Sequence, residues 1–286
     1  MKSVLTFPPQ EAIPEADNRR AMPRIKRTAE EEDARRDSPE FIESLDRGLR
    51  VLELFGAQDR PMTLSDVAKA ANLPRATARR ILLTLEKGGF VATDGKLFSL
   101  TSRVLALASA YLSSNQIVSV VQPMIDRVAS ETREVCSLAI LDGEQAIFIA
   151  RASPARVFSA GIDIGYRLPA FCTSVGRVLL GRLSNEELAS SIGRMELAAQ
   201  TPFTVVDKEV LLATIITDRS KGYSLVDQEA EDGFRSLAVP VRRYDGEIVA
   251  AINVGSHVDR ISTGEMIDRF LPPLKSAATA AQPLLL

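Results

Sequence analysis

Apolar positions recur at helical spacing through the first third of the chain and then give way to short strand-like runs. From Ser44 onward, Leu45, Leu49, Leu52 and Phe55 share one helical face, which predicts a first helix turned toward a core. Thr63 suits an N-cap, Asp66 stands three residues on near the positive end of the helix dipole, and Leu64, Val67, Ala68 and Ala71 share a face. A second, short helix follows from this pattern. The period breaks at Ala71-Asn72-Leu73, and Pro74 fits the first position of a third helix, where its fixed φ suits and its missing N–H costs nothing. There Ala78, Ile81, Leu82 and Leu85 recur at i, i+3, i+4 and i+7 and must face inward. Ala76, Arg79 and Arg80 therefore turn outward, with Arg75 on the flank. After Gly88-Gly89, the run Phe90 to Phe98 carries Asp94-Gly95 at its centre, predicting a hairpin with a type I′ turn and Lys96 near its tip.

A short capped helix, a tight turn, an arginine-bearing helix and a hairpin, in that order, form a winged helix-turn-helix. A helix exposing a small residue between arginines can enter a major groove, where Arg pairs with guanine edges or with phosphates. The candidate DNA-contacting residues are Thr63, Arg75, Ala76, Thr77, Arg79, Arg80 and Lys96. Arginine-rich helix faces are also ordinary solvated surface, so the charge balance decides. Between Arg60 and Arg103 the basic residues are Arg60, Lys69, Arg75, Arg79, Arg80, Lys87, Lys96 and Arg103, against Asp66, Glu86 and Asp94. The whole chain has a formal net charge of −2, so the basic surplus is local, as a DNA footprint would be.

Beyond the hairpin, Thr101-Ser102 caps a predicted helix in which Val104, Leu105, Leu107, Ala108, Tyr111 and Leu112 occupy most of the circumference. As a linker between domains, such a helix is expected to pack against a second subunit. From Ile117 the pattern changes to a helix over Val120–Thr132, then strands Val135–Leu141 and Gln145–Ala150, with a third strand candidate at Arg156–Ile164. Thr173–Leu183 and Asp207–Lys221 read as helices, the second with Val210, Leu211, Ile215 and Ile216 inward and Gly222 closing it. Tyr223–Val226, Ser236–Val241 and Glu247–Val254 return to strand character, the last two joined around Asp245-Gly246. Strands and helices in runs predict an α+β domain with a mainly antiparallel sheet.

Composition narrows the chemistry. At 286 residues, with 45% hydrophobic and 25% charged, the chain has room for two globular domains. Cys136 and Cys172 are its two cysteines and have no metal-ligand spacing, which fits a reducing, cytoplasmic setting. His257 is its one histidine, so neither a multi-histidine metal site nor a carboxylate relay is signalled. No phosphate-binding GxxxxGK[ST] or dinucleotide GxGxxG occurs, and no apolar run is long enough for a membrane span. We expect no enzyme, no cofactor and no metal. Residues 1–40 mix Pro, Arg and Glu without hydrophobic period and are expected to be disordered, as a solvated tail rather than a DNA-binding arm.

The segments SLDRGLRVLELF, PAFCTSVGRVLL, KGYSLVDQEAEDGFRSLAVPV and VAAINVGSH, with the helix-turn-helix and LTSRVLALASAYLSS, resemble the IclR family of bacterial transcription regulators, and within it the β-ketoadipate-pathway (PcaR/PobR-like) branch. The N-terminal 40 residues lie outside the resemblance, which implies a winged helix-turn-helix over 41–100. It further implies a dimerising linker helix over 101–116 and a GAF-like effector-binding domain over 117–275, and residues 276–286 are expected to be a C-terminal tail. Its implied effector site comprises Ala170, Phe171, Cys172, Thr173, Ser174, Arg235, Ser236, Asn253 and Gly255. Phe171 would give an apolar wall, the hydroxyls and Asn253 hydrogen bonds, and the helix start near Thr173 a favourable place for an anion. Arg151, Arg167, Arg177 and Arg235 are the candidate cations.

The resemblance also implies partners: double-stranded promoter DNA, a small carboxylic acid effector that is either aromatic or a pathway keto acid, a second copy or a tetramer, and RNA polymerase if the protein activates. Two alternatives stand beside it. One is a repressor of another carbon-source pathway released by a small keto acid. The other is a small-molecule-binding module or enzyme whose helix-turn-helix mediates protein contacts.

Overall fold

A computed structural model of the chain describes residues 40–56, 60–154 and 163–286. The expected disorder over 1–40 and most of the strand candidate at Arg156–Ile164 lie outside the described residues.

The N-terminal unit runs α1 (Glu43–Gly56), β1 (Met62–Thr63), α2 (Leu64–Ala70), α3 (Arg75–Lys87), β2 (Val91–Thr93) and β3 (Leu97–Leu100). Its strands pair antiparallel in the order β1-β3-β2, and Val51, Phe55, Met62, Val67, Ala78, Leu82 and Val91 form its core. On α1 the inward face is Val51 and Phe55, while Leu45 and Leu49 stand exposed. Of the predicted stripe, Phe55 lies in the core and Leu52 packs against it, while Leu45 and Leu49 do not. Pro74 is the N-cap of α3 rather than its first residue. Asn72 takes a left-handed φ of 52°, which makes the break between α2 and α3 possible.

α4 (Val104–Ser114) leads through Asn115 into α5 (Gln116–Thr132), and the two helices are bent 82° apart. Thr101 does not cap α4 at its first residue; its hydroxyl accepts from Arg103 N and donates to the Gly89 carbonyl, tying the linker to the winged unit.

The C-terminal domain contains β4 (Val135–Asp142), β5 (Gln145–Ala152), β6 (Arg167–Pro169), α6 (Ser174–Leu180), α7 (Asn185–Arg194), α8 (Lys208–Lys221), β7 (Ser224–Asp227), β8 (Phe234–Arg242), β9 (Ile248–His257) and α9 (Thr263–Ala281). Among the described residues its six strands pair antiparallel in the order β6-β5-β4-β9-β8-β7. One face packs on α5 and α9 through residues such as Ile125, Leu138, Val239, Ile252 and Phe270. The other meets α6 through Ala139, Phe148, Ala238 and Ala251, and α7 and α8 form a further layer outside α6. On α8, Leu211 and Ile215 are buried as expected but Val210 is exposed. The expected C-terminal tail from residue 276 is corrected: α9 runs to Ala281, and Ala277, Ala281 and Leu285 are buried in the core.

Candidate functional sites: an arginine face and a polar row on the sheet

α2 begins with a reciprocal capping box, in which Thr63 Oγ1 accepts from Asp66 N at 3.2 Å and Asp66 Oδ2 accepts from Thr63 N at 3.0 Å. That backbone bond, then the Thr63 hydroxyl, hold the Asp66 carboxyl below its ordinary range. Thr63 is therefore engaged in starting a helix. On α3, Ala78 and Leu82 are buried, and Arg75, Ala76, Arg79 and Arg80 are exposed on the opposite side, with Thr77 half-buried between them. Arg75 Nη1 donates to Ser65 Oγ on α2, so this arginine also braces the two helices.

The wing turn is not the expected type I′. Gly95 has a positive φ of 96° and Asp94 does not, because the register Thr93↔Phe98 leaves four loop residues instead of two. Asp94 Oδ1 accepts the N–H groups of Lys96 at 2.9 Å and Leu97 at 2.7 Å, and these bonds lower its pKa. Lys96 still ends exposed at the tip.

In the C-terminal domain the implied effector residues divide by facing. Ala170, Phe171 and Cys172 form a 3₁₀ turn packed outward against Leu188, Ile192, Leu211 and Ile215, so Phe171 lines the outer layer rather than the sheet. Cys172 is fully buried there, and its thiol donates to the Pro169 carbonyl at 3.5 Å. Burial likewise pushes the Cys136 thiol up. Thr173 caps α6 by accepting from Gly176 N at 3.1 Å, so one of the N–H groups at the helix start is already used. Gly176 is required here, since a Cβ would stand 2.2 Å from the Ala170 carbonyl oxygen.

Ser174 does meet the sheet: its Oγ lies 2.7 Å from Ser236 Oγ. Gly255 pairs with Ser236, and the Phe234 ring lies where a Cβ on Gly255 would be, 2.4 Å from that position. Sequence reasoning missed Phe234 as the aromatic of this face, although its alternation with Ser236 signals it. Asn253 is 6% exposed, and its Oδ1 is buried without a hydrogen-bond partner. Ser137, paired with Asn253 across β4 and β9, is also buried.

The same alternation removes Arg235. Its neighbours Leu237, Val239 and Val241 face α5 and α9, and its guanidinium is bound by Asp227 at 3.0 and 3.3 Å and by the Ile261 carbonyl at 2.7 Å. Arg177 is 2% exposed, donating to the Phe171 carbonyl at 2.8 Å and to Glu229 at 2.6 Å. Arg167 pairs with Asp142 at the β6 edge. Arg151 stands in the row of Ser137. Among the described residues no group of three or more His, Cys, Asp or Glu could hold a metal ion, and no single helix is long and apolar enough to cross a membrane.

Residues 44–95 match the family described as the IclR helix-turn-helix domain, and residues 109–282 match the bacterial transcriptional regulator IclR C-terminal family. The Pca regulon regulatory protein of Pseudomonas putida is 41% identical over 241 residues, covering 84% of this chain and 83% of that protein. The p-hydroxybenzoate hydroxylase transcriptional activator of Acinetobacter baylyi is 35% identical over 244 residues, covering 84% and 90%. Among solved structures, an IclR homolog from Microbacterium hydrocarbonoxydans complexed with 4-hydroxybenzoate superposes with a TM-score of 0.71 at 26% identity, covering 85% of this chain and 99% of that one.

Proposed function

The chain belongs to the IclR family of ligand-responsive DNA-binding transcriptional regulators, and on that premise we propose that it governs genes for the breakdown of hydroxylated aromatic acids. The observation that carries the DNA half is the solvent face of α3, where Arg75, Arg79 and Arg80 surround Ala76 opposite a buried Ala78 and Leu82. We assign Ala76, Thr77, Arg79 and Arg80 to the major groove and Lys96 and Arg75 to flanking phosphates. Thr63 serves as the cap that orients α2. The effector half rests on the polar sheet face under α6, and on the hydroxybenzoate and Pca regulators among the relatives.

The protein works as a homodimer in the cytoplasm. No residue of α4 is buried, and Leu105, Leu107 and Tyr111 are 61%, 59% and 47% exposed around its circumference, apolar surface that a second copy would cover. Effector binding then biases the spacing of the two winged units through α4. Pairing of dimers into a tetramer, and contact with RNA polymerase, belong to this proposal as the routes by which such a dimer would act on a promoter.

Replacing Arg79 or Arg80 by Ala tests the assignment. A base-reading arginine costs about 1–3 kcal/mol of operator affinity when lost and relaxes one operator position, whereas a phosphate contact lowers the salt slope by about one. Operator affinity equal to wild type in both variants would remove α3 from the interface.

A further inference from the structure

We propose that the segment following α9, Gln282–Leu286, is a strap that fixes the direction in which the linker helix α4 leaves the C-terminal domain. α4 needs such a device: none of its residues is buried, so packing within its own chain does little to aim it. Its course is set where it meets α5, at the 82° bend between the two axes. Asn115 holds that junction locally, its Oδ1 accepting from Ile117 N at 3.0 Å and its Nδ2 donating to the Tyr111 hydroxyl at 3.1 Å. Gln116, the first residue of α5, reaches across the molecule instead and donates from Nε2 to the Leu284 carbonyl at 3.4 Å.

The far side of the strap is anchored. After Ala281 the chain tightens into a 3₁₀ turn over Gln282–Leu284, which contains Pro283. Leu285 is then 2% exposed in the same core that packs Ile117 and Val118 of the first turn of α5, and its carbonyl accepts from Tyr244 N at 3.0 Å. Leu284 and Leu286 stand exposed on either side, so one buried side chain pins the segment. Tyr244 belongs to the turn between β8 and β9, which is braced by Arg243: its N–H donates to the Glu247 carbonyl at 2.8 Å and its Nη2 to Asp245 and Glu247 at 2.5 and 2.7 Å. The strap thus runs from a braced corner of the six-stranded sheet to the linker junction. The leverage there is large. An eleven-residue helix is about 16 Å long, so a tilt of about 10° at the junction moves its far end by roughly 3 Å, and the ends of two copies by roughly twice that. Half-sites one helical turn apart lie about 34 Å from centre to centre, so a loose junction takes the second winged unit out of register with its half-site.

Of its two readouts, the inference rests on the dimeric DNA-binding reading above for the second alone. The first is hydrogen exchange of the full chain. Deleting Leu284–Leu286 should speed exchange of the junction amides of Ile117–Val120 at least about tenfold, and Gln116→Ala by a smaller factor, while amides of β4 and β9 keep their wild-type rates. Joining Gln116→Cys to Leu284→Cys with a short bismaleimide should slow the same junction amides below wild type; Cys136 and Cys172 are buried and stay unmodified. The second readout is binding to the upstream duplex and to the same duplex with two base pairs inserted between its half-sites. Wild type should separate the two by at least about tenfold, and both loosened variants should narrow that ratio while binding a single half-site as wild type does, which general unfolding would not do. Should the deletion speed β4 and β9 as well, Gln116→Ala at its exposed position decides, and junction exchange equal to wild type in that variant overturns the strap. Wild type binding neither duplex would overturn the DNA-binding reading and leave the exchange result to decide the strap.

Discussion

Replacing Glu229 with Leu would strand the Arg177 guanidinium in a site where it is 2% exposed, and the cost can be worked from its contacts. Arg177 Nη2 donates to Glu229 Oε2 at 2.6 Å and Nε to the Phe171 carbonyl at 2.8 Å, and Val205 N donates to the same Glu229 oxygen at 3.0 Å. Removing one partner of such a buried pair costs about 3–5 kcal/mol, because the remaining charge is desolvated and uncompensated. Glu229→Leu and Arg177→Met should each therefore lose about that much. The double replacement removes both charges and leaves the Val205 N–H and the Phe171 carbonyl without these partners, at about 1–3 kcal/mol each. Its cost should thus resemble one single replacement rather than the sum of two, giving a coupling energy of about 3–5 kcal/mol in a double-mutant cycle. Urea unfolding followed on the C-terminal transition, with unchanged m-values, measures each corner. Single effects that add to within about 0.5 kcal/mol would show that the charges do not interact, and the account of how α6 is tied to the segment after β7 would fail.

Gly176→Ala should destabilise the C-terminal domain by more than about 2 kcal/mol, since its Cβ would overlap the Ala170 backbone; a melting temperature equal to wild type would contradict the close approach. Leu105→Glu combined with Leu107→Glu should convert the proposed dimer to monomer in light scattering while secondary structure is kept, and a persistent dimer would move the interface away from α4. Hydrogen bonds from Thr63, Ser184 and Ser262 lower the pKa of Asp66, Glu187 and Glu265, so each carboxylate contributes stability above its ordinary pKa and loses it as pH falls through the folded value. Stability should accordingly fall with pH below about 4.5, less steeply in Glu187→Gln with Glu265→Gln; an unchanged slope would rule out the capping boxes as its source.

The winged unit was legible because its helices are amphipathic and its cap and turn residues are local signals. Thr63 with Asp66, the break at Asn72 and the inward set Ala78 and Leu82 all appear where the spacing places them. What failed there depended on other segments: Leu45 and Leu49 lie in the stripe by period yet point to solvent, and Asp94-Gly95 sits in a longer turn because the last pair of β2 and β3 leaves four residues between its partners. Two helices of the C-terminal domain went unread although both announce themselves, α7 with Ser184 and Glu187 and α9 with Ser262 and Glu265 at capping-box spacing. The face proposed for the effector was half legible. Ser174, Ser236, Asn253 and Gly255 converge, but Phe171 and Cys172 turn outward and Arg235 lies on the far side of β8, because facing in a sheet follows from register, which the chain alone does not display.

The central claim is tested most directly by fluorescence anisotropy of the full chain on its own upstream intergenic DNA and on a scrambled duplex, with and without 4-hydroxybenzoate. A regulator of this kind should bind the upstream duplex at least about a thousandfold tighter than the scrambled one at physiological salt, and the acid should shift that affinity. Equal affinity for both duplexes, unmoved by the acid, would contradict the account.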